Sequence, residues 1–185
     1  YTTEDLRVQA AMDAIYQDQQ YWKKGPDGNY YNSAMMIMDY MGKIVGVEGD
    51  RGQKSQNMIT DFANDVPRQP GSSIKPLAVY GPAIDLGLIN WSTPVKDGPV
   101  TTMNGRPWPY DGGQSNPDWD TGSDGGYRDI PVVEALARSK NAVSAQILKR
   151  LTPQKSYNFL TGKLGFTTLV KSKTVGKKTY SDIGI

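Results

Sequence analysis

Residues 68–76, Arg68-Gln69-Pro70-Gly71-Ser72-Ser73-Ile74-Lys75-Pro76, set a Pro-Gly turn directly ahead of a serine and a lysine three positions apart. No other stretch limits the fold as tightly. Pro70 and Gly71 end whatever precedes them, and Pro76 is tolerated near the first turn of a helix, where a missing N–H costs nothing. A helix therefore begins at about Ser72. Side chains three apart share a helix face, so the Lys75 amine lies beside the Ser72 hydroxyl, a pairing suited to acyl transfer. On spacing alone the same residues also describe a solvent-facing helix start with a capping serine and a snorkelling lysine.

Composition narrows the chemistry, because the 185 residues include no histidine and no cysteine. Ser-His-Asp triads, Cys-His dyads and His/Cys zinc sites are ruled out. A serine nucleophile must then use a lysine or a carboxylate as its base. Lysine serves only where burial or a positive potential disfavours its charged form, and the first turn of a helix supplies such a potential. The unpaired N–H groups of that turn also suit an oxyanion forming at Ser72.

A second polar pattern, Ser139-Lys140-Asn141, follows Glu134-Ala135-Leu136-Ala137-Arg138. Read alone, Ser139 and Asn141 are a polar pair satisfying local backbone groups. Ser156-Tyr157-Asn158 has the same spacing, but its flanks read as an amphipathic helix with Tyr157, Leu160 and Leu164 on one side, so it is set aside as a decoy.

With both patterns in hand, Arg68 to Pro76 resembles the active-site segment of the transpeptidase domain of class A penicillin-binding proteins. Tyr1 to Ala11 resembles the opening of that domain, and Ser33–Tyr40 with Lys43–Val47 resembles its first hairpin. Ser139-Lys140-Asn141 resembles its second motif. The family's third motif, Lys-Thr-Gly or Lys-Ser-Gly, is not matched, since Lys178-Thr179 is followed by Tyr180. Residues 1–185 therefore resemble a partial transpeptidase domain that stops short of the last third, which in the family supplies a substrate-binding lysine, one oxyanion-hole donor and further strands.

The resemblance implies an α/β (α+β) fold, an antiparallel sheet flanked by helices, incomplete here. It implies that Ser72 attacks the D-Ala-D-Ala carbonyl of a peptidoglycan stem peptide and Lys75 takes its proton. Ser139 passes a proton to the leaving amine, and Asn141 binds the substrate amide and the Lys75 amine. Beta-lactam antibiotics would acylate the same serine. No cofactor or metal is implied, and the parent protein would be extracytoplasmic and membrane-anchored. A non-catalytic scaffold module and a D,D-carboxypeptidase of the same fold remain alternatives. No glutamate follows Glu134, and Asp182 is the sole later acid, which favours a lasting acyl-enzyme over hydrolysis. Two strands make a poor sheet alone, so the chain is expected to exchange strands with a neighbour, to pair with a partner chain or C-terminal fragment, or to leave its core incomplete.

A net charge of +2 does not mark a nucleic-acid binder. Eight Lys and Arg follow Asn141, a basic surface read as a solvated face, with anionic wall polymers or lipid headgroups as the other reading. No apolar run reaches transmembrane length. Elsewhere, Thr2 or Thr3 is expected to cap a helix reaching about Tyr21, with Leu6, Ala10, Met12 and Ile15 or Tyr16 as its core stripe. Lys23–Tyr31 reads as a loop, and the serine helix runs past Tyr80 toward Ile84, bent or ended by Pro82. Lys96–Asp129 reads as a long ordered loop whose Trp108, Tyr110 and Trp119 contact a ligand or pack on the body. Asp118, Asp120 and Asp124 there lack the register of a calcium loop. Ile130–Leu151 and Tyr157–Leu164 read as helices.

Overall fold

The computed structural model describes residues 2–54, 59–109, 119–170 and 172–181. They fall into two compact units, 1–69 and 70–185.

In the first unit, α1 (Leu6–Gln17) is capped by Asp5, whose carboxylate accepts the Arg7 N–H at 2.9 Å. The expected caps are used otherwise: the Thr3 hydroxyl donates to the Ile44 carbonyl. α1 ends before Tyr21 because Asp18 caps a separate 3₁₀ turn, Gln19–Tyr21. Its buried row is Met12 and Tyr16 at i, i+4 spacing, with Val8 half-buried; Leu6, Ala10 and Ile15 lie off that row and are exposed. β1 (Met35–Met38) and β2 (Ile44–Glu48) form the expected hairpin, antiparallel from Met35 opposite Glu48 to Met38 opposite Ile44. Gln9 stitches α1 to β2, its amide accepting the Val47 N–H at 3.0 Å and donating to the Val47 carbonyl at 3.1 Å. Met35, Met36 and Met38 stay exposed, and a hollow of about 470 Å³ opens between α1 and β1. Glu48 is buried beside Asp13, and burial first, then the Asp13 side chain, push its carboxyl up to about 7.

In the second unit, residues 71–85 form one helical run of three pitches. Gly71–Ile74 is a 3₁₀ turn, Pro76–Tyr80 a π turn, and Gly81–Asp85 an α-helical segment, α2. Gly71 has φ of 59°, the left-handed conformation that glycine supplies cheaply at a turn. The π turn is closed by the Gly81 N–H on the Pro76 carbonyl, and a Cβ on Gly81 would lie 2.9 Å from that oxygen. Pro82 neither ends nor sharply breaks the run. It sits near the start of α2, inside the continuous run, and the N–H it lacks is one the preceding turn would otherwise use.

β3 (Pro94–Lys96) carries the chain into the region read as a loop. That region holds its own hairpin, β4 (Thr101–Met103) with β5 (Arg106–Trp108). β6 (Asp129–Pro131) returns antiparallel to β3, closing the excursion at its base. Trp119 packs edge-on against Tyr127, with centroids 5.4 Å apart, so this aromatic serves packing; Tyr110 and Asp118 lie outside the described residues. Then come α3 (Val132–Ala137), α4 (Asn141–Leu151), α5 (Pro153–Gly162) and a hairpin of β7 (Ser172–Val175) and β8 (Lys178–Ser181).

The core gathers Ala78, Val79, Tyr80 and Ala83 from the serine run, Val95 and Ile130 from β3 and β6, Val143 and Ile147 from α4, and Leu160 from α5. The fold is mixed α/β with antiparallel pairing, as expected, and each sheet among the described residues has two strands.

Candidate active site

The Ser72–Lys75 turn is tighter than an α-helix. The Lys75 N–H donates to the Ser72 carbonyl, a 3₁₀ bond, and in that geometry side chains three apart eclipse. Ser72 is exposed, Ser73 is turned back onto the Pro70 carbonyl at 2.6 Å, and Lys75 is half-buried. Of the two adjacent serines, then, the neighbour is engaged with its own turn.

Lys75 Nζ reaches across to the second motif. It donates to the Ser139 carbonyl at 2.6 Å and to Asn141 Oδ1 at 2.6 Å, and it lies 3.1 Å from Ser139 Oγ. The two shortest contacts go to atoms that only accept. Two N–H groups satisfy them whether the nitrogen is an ammonium or an amine, while the Ser139 hydroxyl can accept from the first or donate to the second. Such an arrangement can pass a proton without rebuilding itself.

Ser139 owes its position to the way α3 ends. The Lys140 N–H bonds to the Ala135 carbonyl at 2.9 Å and the Ser139 N–H to the Leu136 carbonyl at 3.0 Å, the paired bonds of a Schellman motif. Its left-handed position, normally glycine, is Ser139 with φ of 53°. The backbone thereby turns the Ser139 carbonyl and hydroxyl toward Lys75 and starts α4 at Asn141.

Beneath the motif lies an ion network that the sequence reading did not find. Lys140 is 2% exposed and pairs with Asp97, which is fully buried, at 3.0 Å and with Asp120 at 3.1 Å. Asp120 also takes Arg138 through both carboxylate oxygens, and Arg138 holds Glu134 at 2.8 Å. Arg138, then Lys140, hold the Asp120 carboxyl down at about 2, and Asp120 in turn raises the guanidinium pKa. The available clue was the pair of cations flanking Ser139. Asp120, weighed for calcium, is committed to these cations, and Asp124 turns onto the Gly126 N–H at 3.0 Å. Among the described residues no group of acids could hold a metal ion.

The decoy has a structural role. Ser156 is fully buried and its hydroxyl donates to the Ala78 carbonyl. In an α-helix that carbonyl would take the N–H of residue 82, which is a proline. Ser156 supplies the donor that Pro82 lacks. Lys178-Thr179-Tyr180 lies in the β7–β8 hairpin, and Asp182 is outside the described residues.

A serine-lysine turn thus faces a Ser-x-Asn motif on a mixed α/β body. The family model described as the penicillin binding protein transpeptidase domain matches residues 33–182, and the chain belongs to that family. Among curated relatives it is 31% identical to penicillin-binding protein 1A of Clostridium botulinum over 157 residues, 82% of this chain and 18% of that protein. It is likewise 31% identical to penicillin-binding protein 1C of Escherichia coli over 157 residues, 83% of this chain and 18% of the relative. Penicillin-binding protein 2a of Streptococcus pneumoniae is 36% identical over 92 residues, 47% of this chain and 12% of the relative. The chain thus spans less than a quarter of the length of each of these relatives.

Proposed function

We propose that residues 1–185 are part of one peptidoglycan D,D-transpeptidase domain, a serine acyltransferase that crosslinks stem peptides. The observation that carries this reading is Lys75 held at once by Ser139 and Asn141, two motifs more than 60 residues apart in sequence. Ser72 attacks the carbonyl of the terminal D-Ala-D-Ala bond, and its proton passes to Lys75. The Ser139 hydroxyl, in contact with Lys75, delivers a proton to the departing D-alanine nitrogen, and Asn141 orients the substrate amide. An amine of a second stem peptide then takes the acyl group from Ser72, restoring the hydroxyl and forming the crosslink. Beta-lactams acylate Ser72 through the first half of the same sequence. The parent protein acts at the extracytoplasmic face of the membrane to which it is anchored.

Intact-mass analysis after incubation with benzylpenicillin tests this, on the chain itself, on a version extended beyond Ile185, and on Ser72→Ala of each. A covalent adduct lost in Ser72→Ala is the expected result. No adduct in any version would make the chain a non-catalytic module and Ser72 a turn residue.

A further inference from the structure

Lys140, the central residue of Ser139-Lys140-Asn141, has no part in the chemistry just proposed, yet it is buried where both neighbours are exposed. Its ammonium is buried between Asp97 and Asp120. Those carboxylates are fixed in turn, since the Asp120 N–H donates to Asp97 Oδ2 at 2.9 Å and the Asp97 N–H to the Arg128 carbonyl at 2.8 Å, beside the β3–β6 ladder. The other end of Lys140 is fixed as well. Its carbonyl accepts the Ser144 hydroxyl at 2.9 Å, and Ser144 lies 3.1 Å from the hydroxyl of buried Tyr80, five residues after Lys75 on the serine run.

Both residues flanking Ser139 are therefore pinned to one carboxylate, Arg138 and Lys140 to Asp120. A non-glycine residue in the left-handed region persists where its surroundings over-determine it. Two anchors, one on each side, meet that condition here. We infer that Lys140 is a positioning residue whose clamp between Asp97 and Asp120 fixes the Ser139 carbonyl and hydroxyl and the Asn141 carboxamide against Lys75. The inference rests on the catalytic reading for its functional meaning, while the positioning itself is measurable without catalysis.

Removing Lys140 alone leaves Asp97 buried beside a second carboxylate, and such a protein can fail to fold. The test therefore uses Lys140→Met with Asp97→Asn, which removes one charge of each sign, and Asp120→Asn, whose carboxylate is partly exposed. Lys163→Met, which removes the surface pair with Asp85 at 2.7 Å, is the ion-pair control. Folding is checked by cooperative urea unfolding. The positioning readout is the titration midpoint of Lys75, followed by its ¹³Cε shift, together with the Asn141 side-chain amide resonance. The functional readout is the second-order rate of benzylpenicillin acylation.

The expected result is a moved Lys75 midpoint, a moved Asn141 amide and acylation slowed ten- to a hundred-fold in the double variant and in Asp120→Asn, with Lys163→Met unchanged. A folded double variant whose Lys75 midpoint and Asn141 amide match the parent overturns the inference, whatever the acylation rate. Moved resonances in a protein whose parent form never acylates would support the positioning role and defeat the catalytic reading instead. If the double variant does not fold, Asp120→Asn decides by the same criteria.

Discussion

Ser139 occupies a backbone position that favours glycine, and exchanging it separates the demands of the turn from those of the hydroxyl. Its φ of 53° costs a residue with a Cβ about 1–2 kcal/mol. Glycine escapes that cost but gives up about 0.5–1 kcal/mol in chain entropy on folding. Ser139→Ala and Ser139→Gly both lose the 3.1 Å contact with Lys75, so comparing them cancels the hydroxyl and isolates the backbone. The balance leaves Ser139→Gly more stable than Ser139→Ala by about 0–1.5 kcal/mol, each kcal/mol raising the midpoint by about 2–4 °C for a chain of this size. Differential scanning calorimetry at neutral pH measures it. Both variants should acylate far more slowly than the parent, so that the more stable of the two is no more active. Should Ser139→Ala prove more stable than Ser139→Gly, the left-handed turn is not what sets this position, and the strain argument fails.

Ser156→Ala leaves the buried Ala78 carbonyl without its donor and should cost about 1–3 kcal/mol in urea unfolding, while any benzylpenicillin adduct on Ser72 persists. Pro82→Ala restores an N–H, so the Ser156→Ala penalty should shrink in that background; additive penalties would sink the pairing of Pro82 with Ser156. Gly81→Ala drives a Cβ to 2.9 Å from the Pro76 carbonyl and should destabilise by about 1–3 kcal/mol, read by thermal melt. Glu48 has its folded pKa raised to about 7, so between the unfolded value near 4.5 and that point the folded state holds the extra proton. Its contribution is present below pH 4.5 and is lost as pH rises through 7. Glu48→Gln should flatten that loss and gain about 1–3 kcal/mol at pH 8 relative to the parent, and an unchanged slope from pH 5 to 8 would refute it.

Much of the site was legible because its residues announce themselves locally. Pro70, Gly71 and Pro76 dictate the turn, and the absence of histidine and cysteine leaves a lysine or a carboxylate as the base for a serine there. The hairpin of residues 35–48 came with the resemblance of Ser33–Tyr40 and Lys43–Val47 to the family's first hairpin. What stayed hidden depends on distant partners. The cap at Asp5 could not be chosen over Thr3 until Thr3 was seen bonding to Ile44. Lys140 reads as a surface lysine until Asp97, more than 40 residues earlier, is folded over it. The hairpin inside residues 96–129 was masked by short strands whose side chains are largely exposed, which carry little hydrophobic alternation. Ser156 mimicked a catalytic motif because a missing backbone donor and an active site recruit the same hydroxyl.

The π turn at Pro76–Tyr80 sets an angular relation within the serine run. A π turn is an α-helix with one residue inserted, and each residue of an α-helix advances the face by 100°. Deleting Leu77, an exposed residue of that turn, would rotate Ser72 and Lys75 by about that angle against the buried face of Ala78, Tyr80 and Ala83. Lys75 would then point away from Ser139 and Asn141 while the core stayed packed. The length of this turn is therefore a phase setting: a one-residue change in it can disable the site in a protein that still folds.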